Sequence, residues 1–169
     1  MGDTGPNVTL HEASAADVPV LRRLMQLYLY DLGTIDGWDI GEDGLFGSAE
    51  RIESFWTEDG RRTLLIRVDG VLAGFLMIRD GGRFSGPGTR ELAEFFVLRK
   101  YRRRGVGTRA ATAVFDMLPG RWEVDQLASN AEAQAFWRAV IGRYTGGRFD
   151  DAERRLGTWR GRVQHFHAP

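Results

Sequence analysis

Three arginines and two glycines stand together in Arg102-Arg103-Arg104-Gly105-Val106-Gly107, an arrangement suited to holding an anion. An apolar run, Phe95-Phe96-Val97-Leu98, precedes them, and the segment that follows, Thr108 to Leu118, has its apolar residues at helical spacing. The order is strand, short basic turn, helix. Glycine lacks a Cβ, so the backbone at Gly105 and Gly107 can approach a ligand closely. The first amides of a helix have no internal acceptor, and the helix dipole adds partial positive charge there. Such a turn can hold a phosphate or pyrophosphate. The arginines add charge-assisted donors worth roughly 1.5–3 kcal/mol each where well placed. No Gly-Lys-Ser/Thr follows, so this is not a Walker loop, and Ala110 stands where a dinucleotide fingerprint needs its third glycine. Taken alone, the turn also fits a solvated basic loop at a helix start.

The longer stretch from Leu92 to Gly107 resembles the acetyl-CoA site of the GNAT N-acetyltransferase superfamily. That site reads strand, a valine near its end, then Arg/Gln-x-x-Gly-x-Gly/Ala, and Arg102, Gly105 and Gly107 occupy the three positions. Further on, Asn130 and Phe136-Trp137 resemble the family's second motif, an Asn followed six residues later by Phe-Tyr on a helix. The resemblance is strong from about Thr63 to Gly142 and weaker outside that span. It implies acetyl-CoA as co-substrate, held by Phe96, Val97, Leu98, Arg102, Arg103, Arg104, Gly105, Val106, Gly107, Thr108, Asn130 and Phe136. The implied reaction is acetyl transfer to a small primary amine by direct attack in a ternary complex. Two other readings stay open: a non-catalytic acyl-CoA-binding or sensing domain, and a phosphate- or nucleic-acid-binding module using Arg99–Arg104.

Acetyl transfer to an amine poses three problems. An amine with a pKa of about 10.4 must lose a proton, at a cost of ~4–5 kcal/mol at pH 7. For this task the candidates are Glu94 and Glu91, on the strand that should run beside the thioester. Glu94 resembles the second acid of the Glu-Asp-Phe-Phe-Val segment in polyamine acetyltransferases, with Ala93 replacing the first. Glu91 matches the strand carboxylate of histone-type members. Three residues apart, the two should face opposite sides of a regular strand unless a bulge intervenes. Each also fits a surface carboxylate at a strand end. The carbonyl oxygen must next be stabilised as negative charge develops, and the resemblance assigns this to the main-chain N–H of Val97 or Leu98. Last, the departing thiolate must be neutralised. Many family members use a tyrosine where Trp137 stands, and an indole N–H cannot serve as a proton-transferring acid. Tyr144 is the nearest tyrosine in sequence, expected at the start of the next strand. Solvent or another phenol could serve instead, and Trp137 itself reads as core packing.

The acceptor's character is suggested by Asp31, Asp36, Asp39, Glu42 and Asp43, a local charge near minus five in the region that caps the acceptor site in GNAT folds. Trp38 and Tyr28 lie among them, and aromatic faces attract cations. Tyr28, Asp31 and Trp38 are thus the expected substrate-binding residues, favouring a cationic amine; a solvated acidic loop is the alternative. Asn130 also suits a helix cap. His165 and His167 alternate along a strand, but no acidic ligand is evident nearby, so no metal is expected.

At 169 residues the chain suits one domain, 1–169. Hydrophobic residues make up 43% and charged ones 27%, the balance of an ordinary globular protein. Formal net charge is zero, which offers no electrostatic case for nucleic acid or an acidic membrane surface. The absence of cysteine excludes disulfides, zinc-thiolate sites and transfer through an acetyl-cysteine. Met1–Pro6 lacks the basic and apolar features of a signal peptide. The expectation is a cytoplasmic monomer or homodimer whose partner is a small-molecule amine, with neither nucleic acid nor membrane involved.

Positioning these residues requires a particular order of elements. Asn7–His11 reads as a strand, and Ser14-x-x-Asp17 starts a helix with Val18, Leu21, Met25, Tyr28 and Leu32 on one side, ending before Gly33. Ser48 could cap a short helix that puts Ile52, Phe55 and Trp56 together. Thr63–Val68 and Val71–Ile78 flank Asp69-Gly70, the sign of a two-residue hairpin turn. A loop over Asp80–Gly88 leads into a strand from Glu91 to Leu98. The helix after Gly107 stops at Pro119-Gly120, Trp122–Leu127 is a strand, and Ser129-x-x-Glu132 forms a capping box for a helix to Ile141. Tyr144–Phe149 and Thr158–Phe166 read as closing strands. The sum is an α+β domain of about seven strands and three or four helices. The resemblance implies a mixed, mostly antiparallel GNAT-type sheet, splayed between its fourth and fifth strands.

Overall fold

Asp69 and Gly70 both adopt positive φ, 50° and 79°, the conformation whose twist matches that of the strands it joins. The turn links β2 (Arg61–Val68) to β3 (Val71–Gly82), and β1 (Val8–Glu12) pairs along the outer edge of β2. The computed structural model describes residues 5–47, 53–55 and 58–169. The expected short helix after Ser48 therefore falls largely outside the described residues, Ile52 and Trp56 included, although Phe55 is buried. The remaining strands are β4 (Gly86–Val97), β5 (Gly120–Leu127), β6 (Phe149–Leu156) and β7 (Trp159–Ala168). They form one seven-stranded sheet in the order β1-β2-β3-β4-β5-β7-β6. All neighbours are antiparallel except β4 and β5, which run parallel.

Three long α-helices cover the sheet among the described residues: α1 (Val18–Asp36), α2 (Val106–Met117) and α3 (Ala131–Thr145). Each buries an apolar stripe, which gives two cores. On one face Leu21, Leu24, Met25 and Leu29 of α1 meet Leu65, Phe75, Met77 and Phe96. On the other, Ala111, Val114 and Phe115 of α2 and Trp137, Val140 and Ile141 of α3 meet Leu76, Leu92, Trp122 and Val124. No helix among the described residues is long and apolar enough to cross a membrane.

Several boundaries differ from those read along the sequence. The first helix passes through Gly33 to Asp36 and ends at Gly37, whose φ of 73° closes it. Gly33 stays helical and buried because a Cβ there would sit 3.3 Å from the Phe46 ring, so the glycine serves packing rather than termination. The expected loop over 80–88 shrinks to residues 83–85, since β3 and β4 both run into it. Fully buried Glu123 organises that turn, accepting the N–H groups of Phe84 and Ser85 at 2.9 Å each and the Ser85 hydroxyl at 2.7 Å. Tyr144 begins no strand, because α3 extends to Thr145 and is closed by Gly146 at φ 62°.

At the start of α3 the cap is Asn130, whose side-chain oxygen accepts the Ala133 N–H at 3.0 Å. Ser129 instead donates its hydroxyl to Asp36 at 2.9 Å, so the expected capping box on Ser129 is not formed. Asn130→Ala should lower stability by about 1 kcal/mol, a fall in melting temperature of roughly 2–4 °C for a chain this size. Ser129→Ala, which loses only an exposed bond, should stay within about 0.5 kcal/mol. Equal losses in thermal melts of the two variants would contradict this assignment.

Candidate active site

Strands β4 and β5 pair over only four positions, Thr89↔Arg121 through Leu92↔Val124. Beyond them β4 continues to Val97 and β5 to Leu127, and a gap opens between the strands. The orientation of the β4 backbone in that gap follows from its pairing with β3. Leu98 donates its N–H to the Ala73 carbonyl at 2.8 Å, so the adjacent pair, Gly74↔Val97, is a non-hydrogen-bonded pair of the antiparallel ladder. The Val97 N–H therefore points away from β3, toward the gap. The Leu98 N–H is occupied, which removes one of the two expected carbonyl-oxygen donors.

The gap holds two adjoining compartments that share Tyr28, Leu32, Phe95, Asn130, Ala133 and Trp137. The first, of 360 Å3, runs from Phe95–Val97 to the start of α2 and is also lined by Gly105, Gly107, Thr108 and Phe136. The first helical hydrogen bond of α2 runs from the Arg109 N–H to the Gly105 carbonyl. The amides of Val106, Gly107 and Thr108 precede it and have no acceptor within the helix. Gly105 takes φ 78° at the cap, with open space where a Cβ would be. At Gly107 a Cβ would meet the Phe136 ring at 3.1 Å, so this glycine lets the aromatic lining sit against the turn. Phe136 stacks on Phe95, centroids 6.1 Å apart, and Trp137 closes edge-on against both. Acceptorless amides at one end and an aromatic wall along the side fit a ligand with a pyrophosphate and a long, mostly apolar arm.

The arginines of the turn divide the work differently than expected. Arg102 is turned inward, donating through Nε to the Val97 carbonyl at 2.7 Å and through Nη2 to Asp31. Arg99 reaches the same aspartate at 2.8 Å. Asp31, expected to meet substrate, is thus neutralised by two guanidiniums and locks the basic turn onto α1. Arg103, at φ 59°, is exposed and lines the first compartment, and Arg104 is exposed beside it in sequence. Asn130 lines the cavity but spends its side-chain oxygen on the helix cap.

The second compartment, of 500 Å3, lies on the α1 side of the sheet. One extra residue in β4 shapes it: Glu94 faces Met77 whereas Leu92 faces Ile78, a bulge at Ala93. The bulge brings Glu91 and Glu94 to the same compartment although they are three residues apart. Asp125 of β5 joins them, a residue with no motif or spacing around it that marks it in the sequence. Arg61, Arg79 and Arg83 stand at the walls. Glu91, only 5% exposed at its side chain, pairs with Arg79 and accepts the Arg83 N–H at 2.9 Å. Behind Glu91 in register comes Glu123, and behind that His165, whose Nε2 lies 3.1 Å from the Glu123 carboxylate. The acid near His165 is therefore this buried carboxylate, and no group of three metal-ligating side chains occurs among the described residues.

Of the remaining predicted residues, Tyr28 lies at the junction of the two compartments, edge-on to Phe75 at 5.9 Å. Trp38 lines the second compartment and donates its indole N–H to Asp36 at 2.9 Å. The acidic loop is strapped to α1 by Gln26, which bonds both the N–H and the carbonyl of Phe46. Asp36, Asp39, Glu42 and Asp43 are all exposed, with Asp36 held by Trp38 and Ser129 and Asp43 accepting the Leu45 N–H at 3.1 Å. Tyr144 is not brought to the cleft. It packs on Phe115 at 5.4 Å and donates to Asp116 at 2.8 Å, and burial together with that acceptor pushes its phenol up to about 12.

Known structures share this architecture. An acetyltransferase from Thermus thermophilus superposes with a TM-score of 0.70 at 16% identity, covering 95% of this chain and 97% of that one. A spermidine N-acetyltransferase from Vibrio cholerae, solved with CoA and spermine, gives 0.66 at 9% identity, covering 95% of each chain. A Salmonella typhimurium protein solved with its cofactor acetyl-CoA gives 0.63 at 16% identity, covering 96% and 94%. No curated protein matches the chain in sequence. The acetyltransferase (GNAT) family matches residues 27–142, a span that contains the β4–β5 gap, the basic turn and α3 up to its last turn. The chain belongs to the acetyltransferase (GNAT) family, whose members use acetyl-CoA.

Proposed function

We propose that residues 1–169 act as one cytoplasmic domain that moves an acetyl group from acetyl-CoA to a small, cationic primary amine by direct attack, with both substrates bound. The observation that carries this reading is the Val97 N–H directed into a gap that has helix-start amides on one side and carboxylates on the other. Acetyl-CoA would supply a thioester carbonyl activated for attack. The amides of Val106, Gly107 and Thr108 would hold its pyrophosphate, with exposed Arg103 and Arg104 just before them in sequence. The wall of Phe95 and Phe136 would carry its apolar arm. The Val97 N–H would donate to the carbonyl oxygen as charge develops there, an effect worth ~2.7–4 kcal/mol for a single well-aimed donor. Glu91 and Glu94 would draw the ammonium into the second compartment, among carboxylates able to accept its proton. The neighbour solved with spermine supports a cationic acceptor by analogy of fold alone.

For the departing thiolate, Tyr28 replaces Tyr144 as the candidate acid. It is the one tyrosine lining both compartments among the described residues, where the end of the apolar arm would meet the amine. Trp137, buried in the α3 core, keeps a packing role.

Gly107→Val would displace Phe136 and crowd the helix-start amides. Its affinity for acetyl-CoA should fall at least ~10-fold, about 1.4 kcal/mol, in a chain that remains folded. Calorimetric titration checks this, and undiminished affinity in a folded variant would remove the site from this turn. Tyr28→Phe should cut kcat for thiol release ~10- to 100-fold, the range of lost acid catalysis, while Tyr144→Phe should change kcat less than twofold. The reverse pattern would return the acid role to Tyr144. Thioester turnover across a library of primary amines decides between an enzyme and a sensing domain, since a sensing domain would bind acetyl-CoA and release no thiol.

A further inference from the structure

Asp125 is the residue of β5 directly after Val124, where pairing with β4 stops. Its carboxyl is 18% exposed and lines the second compartment. The groups that act on it come from several elements. Glu91 and Glu94 face it from β4, Glu123 lies on its own strand, and Arg83 approaches from the β3–β4 turn. On β7 the residue opposite is Val163, which carries no charge. Arg83 is a loose partner, 3.8 Å away, with its guanidinium also 5.3 Å from the Trp159 ring centre. Glu91, by contrast, is engaged by Arg79 and by the Arg83 N–H. Glu123 is engaged by two amides, a hydroxyl and His165.

Resting on the acetyltransferase reading above, we propose that Asp125 is the carboxylate that takes the proton from the attacking ammonium, with Glu91 and Arg79 as positioning residues. The ammonium gives one proton to the Asp125 carboxylate and becomes a neutral amine. The nitrogen lone pair then forms the C–N bond at the thioester carbonyl, and the C–S bond breaks with its electron pair on sulfur. Tyr28 gives its phenolic proton to the thiolate and regains one as the amide nitrogen loses its second proton, and Asp125 returns its proton to solvent. A base for this step works best with a pKa near the pH at which the reaction runs. Burial first, then the charge of Glu91, raises the Asp125 carboxyl to about 7, with Arg83 opposing and Glu123 and Glu94 adding to the rise.

The test measures kcat/KM from pH 5.5 to 9 for the full chain and for Asp125→Asn, with butylamine and spermine as acceptors and thiol release as the signal. The wild type should show an acid limb near pH 7. Asp125→Asn should lose that limb and at least ~100-fold in kcat, the scale of general-base catalysis, with acetyl-CoA affinity unchanged. Thermal melts give a second readout. A raised carboxyl pKa destabilises the folded state increasingly as pH rises from about 4 toward 7, so Asp125→Asn should gain more stability at pH 8 than at pH 5. Carbon-13 NMR titration of the wild-type Asp125 carboxyl covers the case in which the variant fails to fold, and a midpoint near 7 is expected. Wild-type turnover with an Asp125→Asn profile of the same shape and height overturns this inference alone, as does an ordinary carboxyl midpoint near 4. No thiol release from the wild type with either amine overturns the acetyl-transfer reading for such amines, and this inference with it.

Discussion

The brief contact between β4 and β5 governs the rest of the molecule. Parallel strands normally pair along their length, because each unpaired N–H or C=O left in the interior costs about 1–3 kcal/mol. Here pairing ends after Leu92 and Val124, and the freed backbone lines a cleft. Two helices keep it open. The aromatic residues Phe136 and Trp137 of α3 wedge against Phe95 on one face, and α1 presses Tyr28 against Phe75 and Phe96 on the other. A gap held by rigid packing on both faces costs little to reorganise when ligands arrive, which favours preorganised donors over flexible ones.

Charge is arranged around that gap so that most ionic groups are engaged where they serve geometry. Asp31 joins Arg99 and Arg102, fastening the basic turn to α1. Glu123, with no exposed surface, satisfies the amides of the β3–β4 turn and so holds Arg83 beside the second compartment. Arg79 is tied to Glu91, and its own Nε is buried without a hydrogen-bond partner. Such a row, Arg79, Glu91, Glu123 and His165, crosses four strands in register. A buried ionic row is weak as a source of stability, and its position beside the cleft suits the tuning of neighbouring carboxyls instead.

Much of the fold could be read from local patterns. Asp69-Gly70 between apolar runs gave its hairpin, and the 3.6-residue spacing gave all three long helices, because turn chemistry and amphipathicity are short-range properties. Helix ends were less legible. Gly33 and Tyr144 were misplaced since a glycine inside a helix and a helix-terminal tyrosine are decided by what packs on them, Phe46 in one case and Phe115 with Asp116 in the other. Asn130 and Ser129 are adjacent and both can cap, and the choice between them depended on Asp36, 93 residues away from Ser129.

For the site, the sequence by itself determined the strand, basic turn and helix start, because an anion cradle is built from consecutive residues whose backbone geometry is local. Which side chains face the cleft was decided only by tertiary structure. The bulge at Ala93 put Glu91 and Glu94 on one side, although alternation along a regular strand would separate them. Arg102 and Asp31, both expected to meet ligands, met each other once α1 packed beside the turn. Asp125 became notable only when β5 was laid parallel to β4, since burial and the charges of Glu91, Glu94 and Glu123 act through space. Backbone motifs are written in neighbouring residues, whereas the proton affinity of a carboxyl depends on groups that folding alone assembles.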